Sequence, residues 1–192
     1  IGSGPGNDLT GLVAYLRQQR QNSNPQRQVL QTAVALDWVE DEWQCVMKPL
    51  RKILTPHFIK SFTSQSCDIT HPLITGDGSP CTINCAALEY AVLCDIFLVS
   101  YLLTENRGNW EVFFSQLFQL VKPGSLFYFA EPTSWQLQKL LKMASLRNND
   151  NMLDDTDNTS VIFLWLDSSF GTNLQEIDGR LGPAVLLGMK TK

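Results

Sequence analysis

Ala33-Val34-Ala35-Leu36-Asp37-Trp38 is a run of four apolar residues closed by an acid. It is too short for a helix, and it reads as a parallel strand buried on both faces. Upstream of it, Leu9, Leu12, Val13 and Leu16 recur at i, i+3, i+4 and i+7, which predicts an amphipathic helix capped by Asn7 or Asp8. That helix ends in the polar stretch 18–28, where Asn24-Pro25 breaks the pattern. Downstream, Glu40-Asp41-Glu42 suits a helix N-terminus, where carboxylates meet unpaired backbone amides. Trp43, Val46, Met47, Leu50, Ile53 and Leu54 continue at helical spacing. Pro49 inside the run is expected to kink this helix or split it in two.

The alternation continues outward. A short strand is expected at Ser66–Thr70, carrying Asp68, followed by the turn cluster Gly76-Asp77-Gly78-Ser79-Pro80 and a short helix at Asn84–Tyr90. Cys94–Ser100 is the clearest buried strand. Trp110, Phe113, Phe114, Leu117 and Val121 mark a helix stopped by Pro123-Gly124, and Ser125–Glu131 is the next strand. Thr133-Ser134 can cap a helix with the apolar face Leu137, Leu140, Leu141 and Ala144; the polar stretch Asn148–Ser160 reads as a surface loop. Val161–Asp167 and Ala184–Met189 are the last strands. Strands alternating with helices imply an α/β three-layer sandwich whose mostly parallel sheet is covered on both faces. The last two strands have no good helix between them, which fits antiparallel pairing at the sheet edge. No internal repeat or second core is visible, so one domain is expected over 1–192.

Composition narrows the class. At 44% hydrophobic and 18% charged, the chain of 192 residues is globular rather than disordered. The apolar runs Ala91–Tyr101 and Val161–Leu166 are too short to span a bilayer, and no basic-then-apolar leader opens the sequence. Cys45, Cys67, Cys81, Cys85 and Cys94 are odd in number and form no paired pattern. The Cys81-x3-Cys85 spacing has no second pair or suitably spaced histidine, so no metal site is expected. Reduced thiols in an intracellular, cytoplasmic protein are the expectation. The net charge of -4 argues against general electrostatic capture of nucleic acid, although Lys48, Arg51 and Lys52 form a local basic cluster.

Chemistry enters at the start of the chain. Gly2-Ser3-Gly4-Pro5-Gly6 opens the first helix, so backbone can approach a ligand closely while helix amides face an anionic group. About 30 residues on, Asp37 ends a strand where a carboxylate can accept hydrogen bonds from ribose hydroxyls. The next strand brings Asp68-Ile69, an acceptor beside an apolar surface, suited to an adenine amino group and ring.

In this order and spacing the sequence resembles the class I S-adenosylmethionine-dependent methyltransferases over nearly its whole length. Gly2-Ser3-Gly4-Pro5-Gly6 matches their first motif and Asp37, after Val34-Ala35-Leu36, the second. Cys67-Asp68-Ile69-Thr70 resembles the third, and Cys94–Ser100 running into Tyr101-Leu102-Leu103-Thr104-Glu105 the fourth. Leu120-Val121-Lys122-Pro123-Gly124-Ser125-Leu126 resembles the turn before the fifth. The resemblance implies S-adenosylmethionine as cofactor, held by Gly2, Ser3, Gly4, Pro5, Gly6, Asp37, Trp38, Asp68, Ile69, Ser100 and Tyr101. Asp37 would hold the ribose, Trp38 and Ile69 would pack on adenine, and Asp68 would meet its amino group. The family's first strand would lie upstream of Ile1, so an upstream segment of the same protein is expected to complete the sheet.

Several subclasses lose ground at the fourth motif. Ser100-Tyr101-Leu102-Leu103 is not the D/N-P-P-Y/F/W signature of exocyclic-amine enzymes, and Cys94 and Asp95 stand at the wrong end of their strand for a cytosine nucleophile or a catalytic acid. Transfer to an oxygen or nitrogen of a small molecule, a protein or RNA remains, with Tyr101, Glu105 and Glu131 as candidate bases or substrate contacts. His57 and His71 close no known motif. An inactive methyltransferase-like binding or scaffold module is the alternative. A nicotinamide dehydrogenase would want a third glycine at position 7, where Asn7 stands.

Overall fold

The computed structural model describes residues 1–4, 6–22, 30–55, 58–106, 109–132, 134–150, 161–166 and 184–191. They fall into two compact units, Ile1–Asp68 and Ile69–Lys192.

The first unit runs α1 (Asn7–Asn22), β1 (Leu30–Asp37), α2 (Glu40–Leu54), β2 (Ile59–Ser66). β1 and β2 pair in parallel, from Leu30 opposite Ile59 to Asp37 opposite Ser66. The apolar stripes anticipated in α1 and α2 meet this ribbon. Val13, Met47 and Leu54 form a buried cluster with Ala35, Ile59 and Phe62, and Leu9, Trp43 and Leu50 pack around it.

α2 is a single helix through Pro49, so the split offered as one alternative does not occur; Pro49 is exposed. The hydrogen bond that a proline nitrogen cannot donate is therefore missing on the solvent side, where water can satisfy the orphaned carbonyl. The strand expected at Ser66–Thr70 is instead β2, ending at Ser66. Asp68 lies two residues beyond it.

The second unit contains α3 (Cys85–Ala91), β3 (Ile96–Ser100), α4 (Leu102–Glu105), α5 (Glu111–Leu120), β4 (Leu126–Glu131), α6 (Ser134–Asp150), β5 (Val161–Leu166) and β6 (Ala184–Lys190). Its sheet has the order β3-β4-β6-β5. β3 and β4 are parallel, whereas β6 is antiparallel to both β4 and β5, so the antiparallel ending anticipated from sequence is present. The described residues thus form two sheets, one two-stranded and one four-stranded, rather than one continuous sheet.

One face of the four-stranded sheet is packed by an aromatic layer. Phe97 stacks on Phe127 at 4.8 Å between ring centroids. α5 lays Phe118 edge-on to Phe127 at 5.0 Å and Phe114 edge-on to Phe129 at 5.5 Å. Phe113, Phe114, Phe129, Leu137 and Leu140 are all fully buried. At the rim, Lys190 is buried and donates through Nζ to the Phe118 carbonyl at 2.6 Å, satisfying an open C-terminal carbonyl of α5. Burial pushes this amine below its ordinary pKa. On the opposite face Ile96, Leu126, Tyr128, Ile162, Leu164 and Met189 are exposed.

Candidate functional site

In the first unit the glycine turn, the end of β1 and the start of α2 are tied by backbone donors. Ser3 N donates to the Leu36 carbonyl at 3.1 Å, which lays the turn along β1. Gly6 N donates to the Ser3 carbonyl at 2.8 Å and closes the turn. Asp37 joins the two ends: Oδ2 accepts from Gly4 N at 2.8 Å and Oδ1 from Val39 N at 3.1 Å. An acid at this position therefore fixes the glycine turn. Each carboxylate oxygen keeps further acceptor capacity.

Two of the glycines have separable roles. Gly6 has φ +85°, and a Cβ there would come within 2.6 Å of Leu50 Cδ2. It lets the turn sit on α2. Gly4 has φ +44° and nothing within 4 Å of the position a Cβ would take, so it needs its conformation and faces open space. Between them in purpose is Ser3, whose Oγ is buried without a hydrogen-bond partner. Such an orphaned polar atom is uncommon and invites a ligand group or water. Pro5 and His57 lie outside the described residues.

Trp38 follows Asp37 and is 71% exposed, a large aromatic surface beside the acid. Asp68 is half-buried. Ile69 is buried and begins the second unit. Cys67, between β2 and Asp68, is buried, which pushes its thiol up to about 12.

In the second unit, Ser100 ends β3 and Tyr101 follows in the left-handed region, with φ 61° and ψ 5°. Among the described residues it is the one non-glycine with positive φ. For a bulky side chain that conformation costs about 1–3 kcal/mol and persists only where the surroundings impose it. They do so here. Tyr101 N donates to the Ala130 carbonyl at 2.7 Å. Glu131, at the end of β4, accepts from Leu103 N at 2.8 Å, Thr104 N at 3.1 Å and Thr104 Oγ1 at 2.7 Å. Gln136 Nε2 donates to the Leu103 carbonyl at 2.9 Å. The outcome is an exposed phenol on a backbone fixed at the carboxyl end of a parallel strand, where α/β sheets bind ligands.

Glu131, a candidate base by sequence, is fully buried. Burial pushes its pKa up and the three donated hydrogen bonds pull it down. Those donors make it the cap of α4. Glu105 is exposed. His71 is exposed, with Thr70 Oγ1 3.1 Å from its Nδ1. Of the basic cluster, the Arg51 guanidinium lies 5.7 Å from the Phe62 ring centroid, a packing role. No cluster of metal-ligating side chains occurs among the described residues, and no helix there is long and apolar enough to cross a membrane.

The sequence did not expose Val39 N as the second donor to Asp37, nor Thr104 and Gln136 as the ties behind Tyr101. Backbone donors carry no side-chain signature, and a polar residue in a turn or on a helix looks solvent-facing until its partner is known.

No family model matches the sequence, and neither does any curated protein sequence. Solved structures do match. One is a candidate rRNA-methylase of Clostridium thermocellum, 12% identical, aligned over 98% of this chain and 83% of its own with a TM-score of 0.51. Another is a S-adenosylmethionine-dependent methyltransferase of Methanosarcina mazei, 10% identical, aligned over 100% of this chain and 90% of its own with a TM-score of 0.50. At such identities the likeness speaks to the backbone arrangement, which agrees with the order of strands and helices above. The chain has the fold of the class I S-adenosylmethionine-dependent methyltransferases.

Proposed function

We propose that the chain is the S-adenosylmethionine-binding domain of a methyltransferase acting on an oxygen or nitrogen acceptor. The observation that carries this reading is the glycine turn clamped to Asp37, with the Ser3 hydroxyl buried and unpaired beside it. The residues present fit the group: an orphaned hydroxyl, an open approach at Gly4, a strand-end carboxylate with spare lone pairs, and an exposed indole for a purine. Gly2, Ser3, Gly4, Pro5 and Gly6 would face the amino-acid part of the cofactor, Asp37 the ribose, Trp38 and Asp68 the adenine. Held by these residues, the sulfonium would supply an electrophilic methyl group to the acceptor, which would give up a proton. Because the donor is already activated, alignment supplies much of the rate. Ser100 and the Tyr101 phenol are candidates for contacting cofactor or acceptor, with Glu131 and Thr104 fixing the turn that follows Tyr101. Glu105 is exposed and within reach of solvent for the departing proton.

The acceptor is a small molecule, a protein or RNA. The name of the C. thermocellum neighbour gives RNA a place, and the net charge of -4 weighs against it. Calorimetric titration with S-adenosylhomocysteine tests the reading. Saturable micromolar binding is expected, lost in Asp37→Ala and weakened in Trp38→Ala; a folded protein that binds nothing leaves the scaffold reading in its place.

A further inference from the structure

Two side-chain amides hold the stretch of chain that leaves Asp68. Gln116 of α5 uses both of its ends: Oε1 accepts from Leu73 N at 2.7 Å and Ile74 N at 2.9 Å, and Nε2 donates to the Ile74 carbonyl at 2.8 Å. Asn84, fully buried just ahead of α3, donates through Nδ2 to the His71 and Pro72 carbonyls, each at 3.1 Å. Five main-chain groups in the four residues 71–74 are thus bonded to side chains. Leu73 is fully buried, and its carbonyl accepts from Cys81 N at 2.9 Å, closing a loop whose tip, residues 76–80, is exposed. A surface loop can satisfy its main chain with water; this one is fixed in a single arrangement where it follows a strand end.

We propose that Gln116 and Asn84 are positioning residues for recognition of the cofactor's base; the inference rests on the methyltransferase reading above, in which Asp68 meets the adenine amino group. The link to Asp68 is the chain itself. His71 stands three residues after it, at most about 10 Å of extended backbone, and Ile69 between them is buried. Fixing residues 71–74 therefore restricts where the Asp68 carboxylate can sit. That restriction is what base selection needs. A carboxylate reads an amino group only when held to within about 0.5 Å of the right geometry. Hypoxanthine, the base with oxygen in place of that amino group, offers a donor one ring atom away at N1. A carboxylate free to shift would recover a hydrogen bond there, and a fixed one would not. Apolar residues at 84 and 116 could fill the same space but would leave the five main-chain groups without these partners.

Calorimetric affinities for S-adenosylhomocysteine and S-inosylhomocysteine, compared in the whole chain and in Gln116→Ala and Gln116→Glu, test it. The wild type should prefer the adenosyl compound by about tenfold or more, the worth of one hydrogen bond to a charged group. Gln116→Ala should bring that preference close to one, chiefly by improving binding of the inosyl compound. Gln116→Glu keeps an acceptor for Leu73 N and Ile74 N and should restore most of the preference. A role confined to stability would leave the ratio unchanged. Amide shifts of the wild type give a readout that needs no variant: with the adenosyl compound they should extend from Asp68 to Leu73 and Ile74, and with the inosyl compound they should not. A folded Gln116→Ala that keeps the wild-type preference overturns the proposal, as does a wild type that binds both compounds equally. A wild type that binds neither compound removes the methyltransferase reading as well, so the two failures are distinguishable.

Discussion

Gly6 and Gly4 make a paired test of how the glycine turn is built. In Gly6→Ala the new methyl group would stand 2.6 Å from Leu50 Cδ2 and 3.6 Å from Met47 Sδ, on a backbone held at φ +85°. The left-handed conformation costs a residue with a Cβ about 1–2 kcal/mol. Displacing Leu50, a half-buried side chain with some room to rotate, adds about 1 kcal/mol, the low end for overpacking. The expected loss is about 2–3 kcal/mol, read as a lower urea midpoint at unchanged slope. Gly4→Ala meets nothing within 4 Å and should lose only the conformational share, about 1–2 kcal/mol. Its methyl group projects into the open approach, however, so its loss should appear in cofactor affinity. Equal destabilisation by the two substitutions, or a Gly4→Ala protein that binds S-adenosylhomocysteine as tightly as wild type, would refute the division of roles.

Other outcomes follow from single groups. Burial raises the Glu131 pKa, so protonation is favoured in the folded state. The wild type should therefore gain stability relative to Glu131→Gln as pH falls from neutral towards the ordinary carboxylate range, and denaturant midpoints at several pH values check the sign. Tyr101→Gly relieves the left-handed strain and removes the phenol. It should leave stability unchanged or higher while reducing methyl transfer once an acceptor is in hand. In native protein Cys45 and Cys85 are exposed and should react first with a thiol reagent, whereas Cys67, pushed up to about 12 and buried, should react only on unfolding. Mass spectrometry of the labelled peptides reads the order.

What the sequence made legible followed from apolar density. Leu30–Asp37, Ile96–Ser100 and Leu126–Glu131 are rich in apolar residues and lie where the runs placed them. β2 escaped because Ile-Lys-Ser-Phe-Thr-Ser-Gln-Ser has only Ile59 and Phe62 to bury, three apart, without the alternation of a strand. Its pairing with β1 supplies through the backbone what its side chains do not announce. The strand-end acids were legible as residues but not as roles. Asp37 and Glu131 occupy equivalent ends of parallel strands, yet one clamps a turn that faces open space and the other is sealed under α4. Only the donors around each carboxylate separate them, and most of those donors are main-chain amides.

The most direct test of the cofactor reading is a residue-resolved one: amide chemical shifts of the protein titrated with S-adenosylhomocysteine. The account predicts saturable shifts centred on Ser3, Gly4, Gly6, Trp38 and Val39, absent in Asp37→Ala. A folded protein whose glycine-turn amides do not move, or which responds in the same way to NADH, would contradict it.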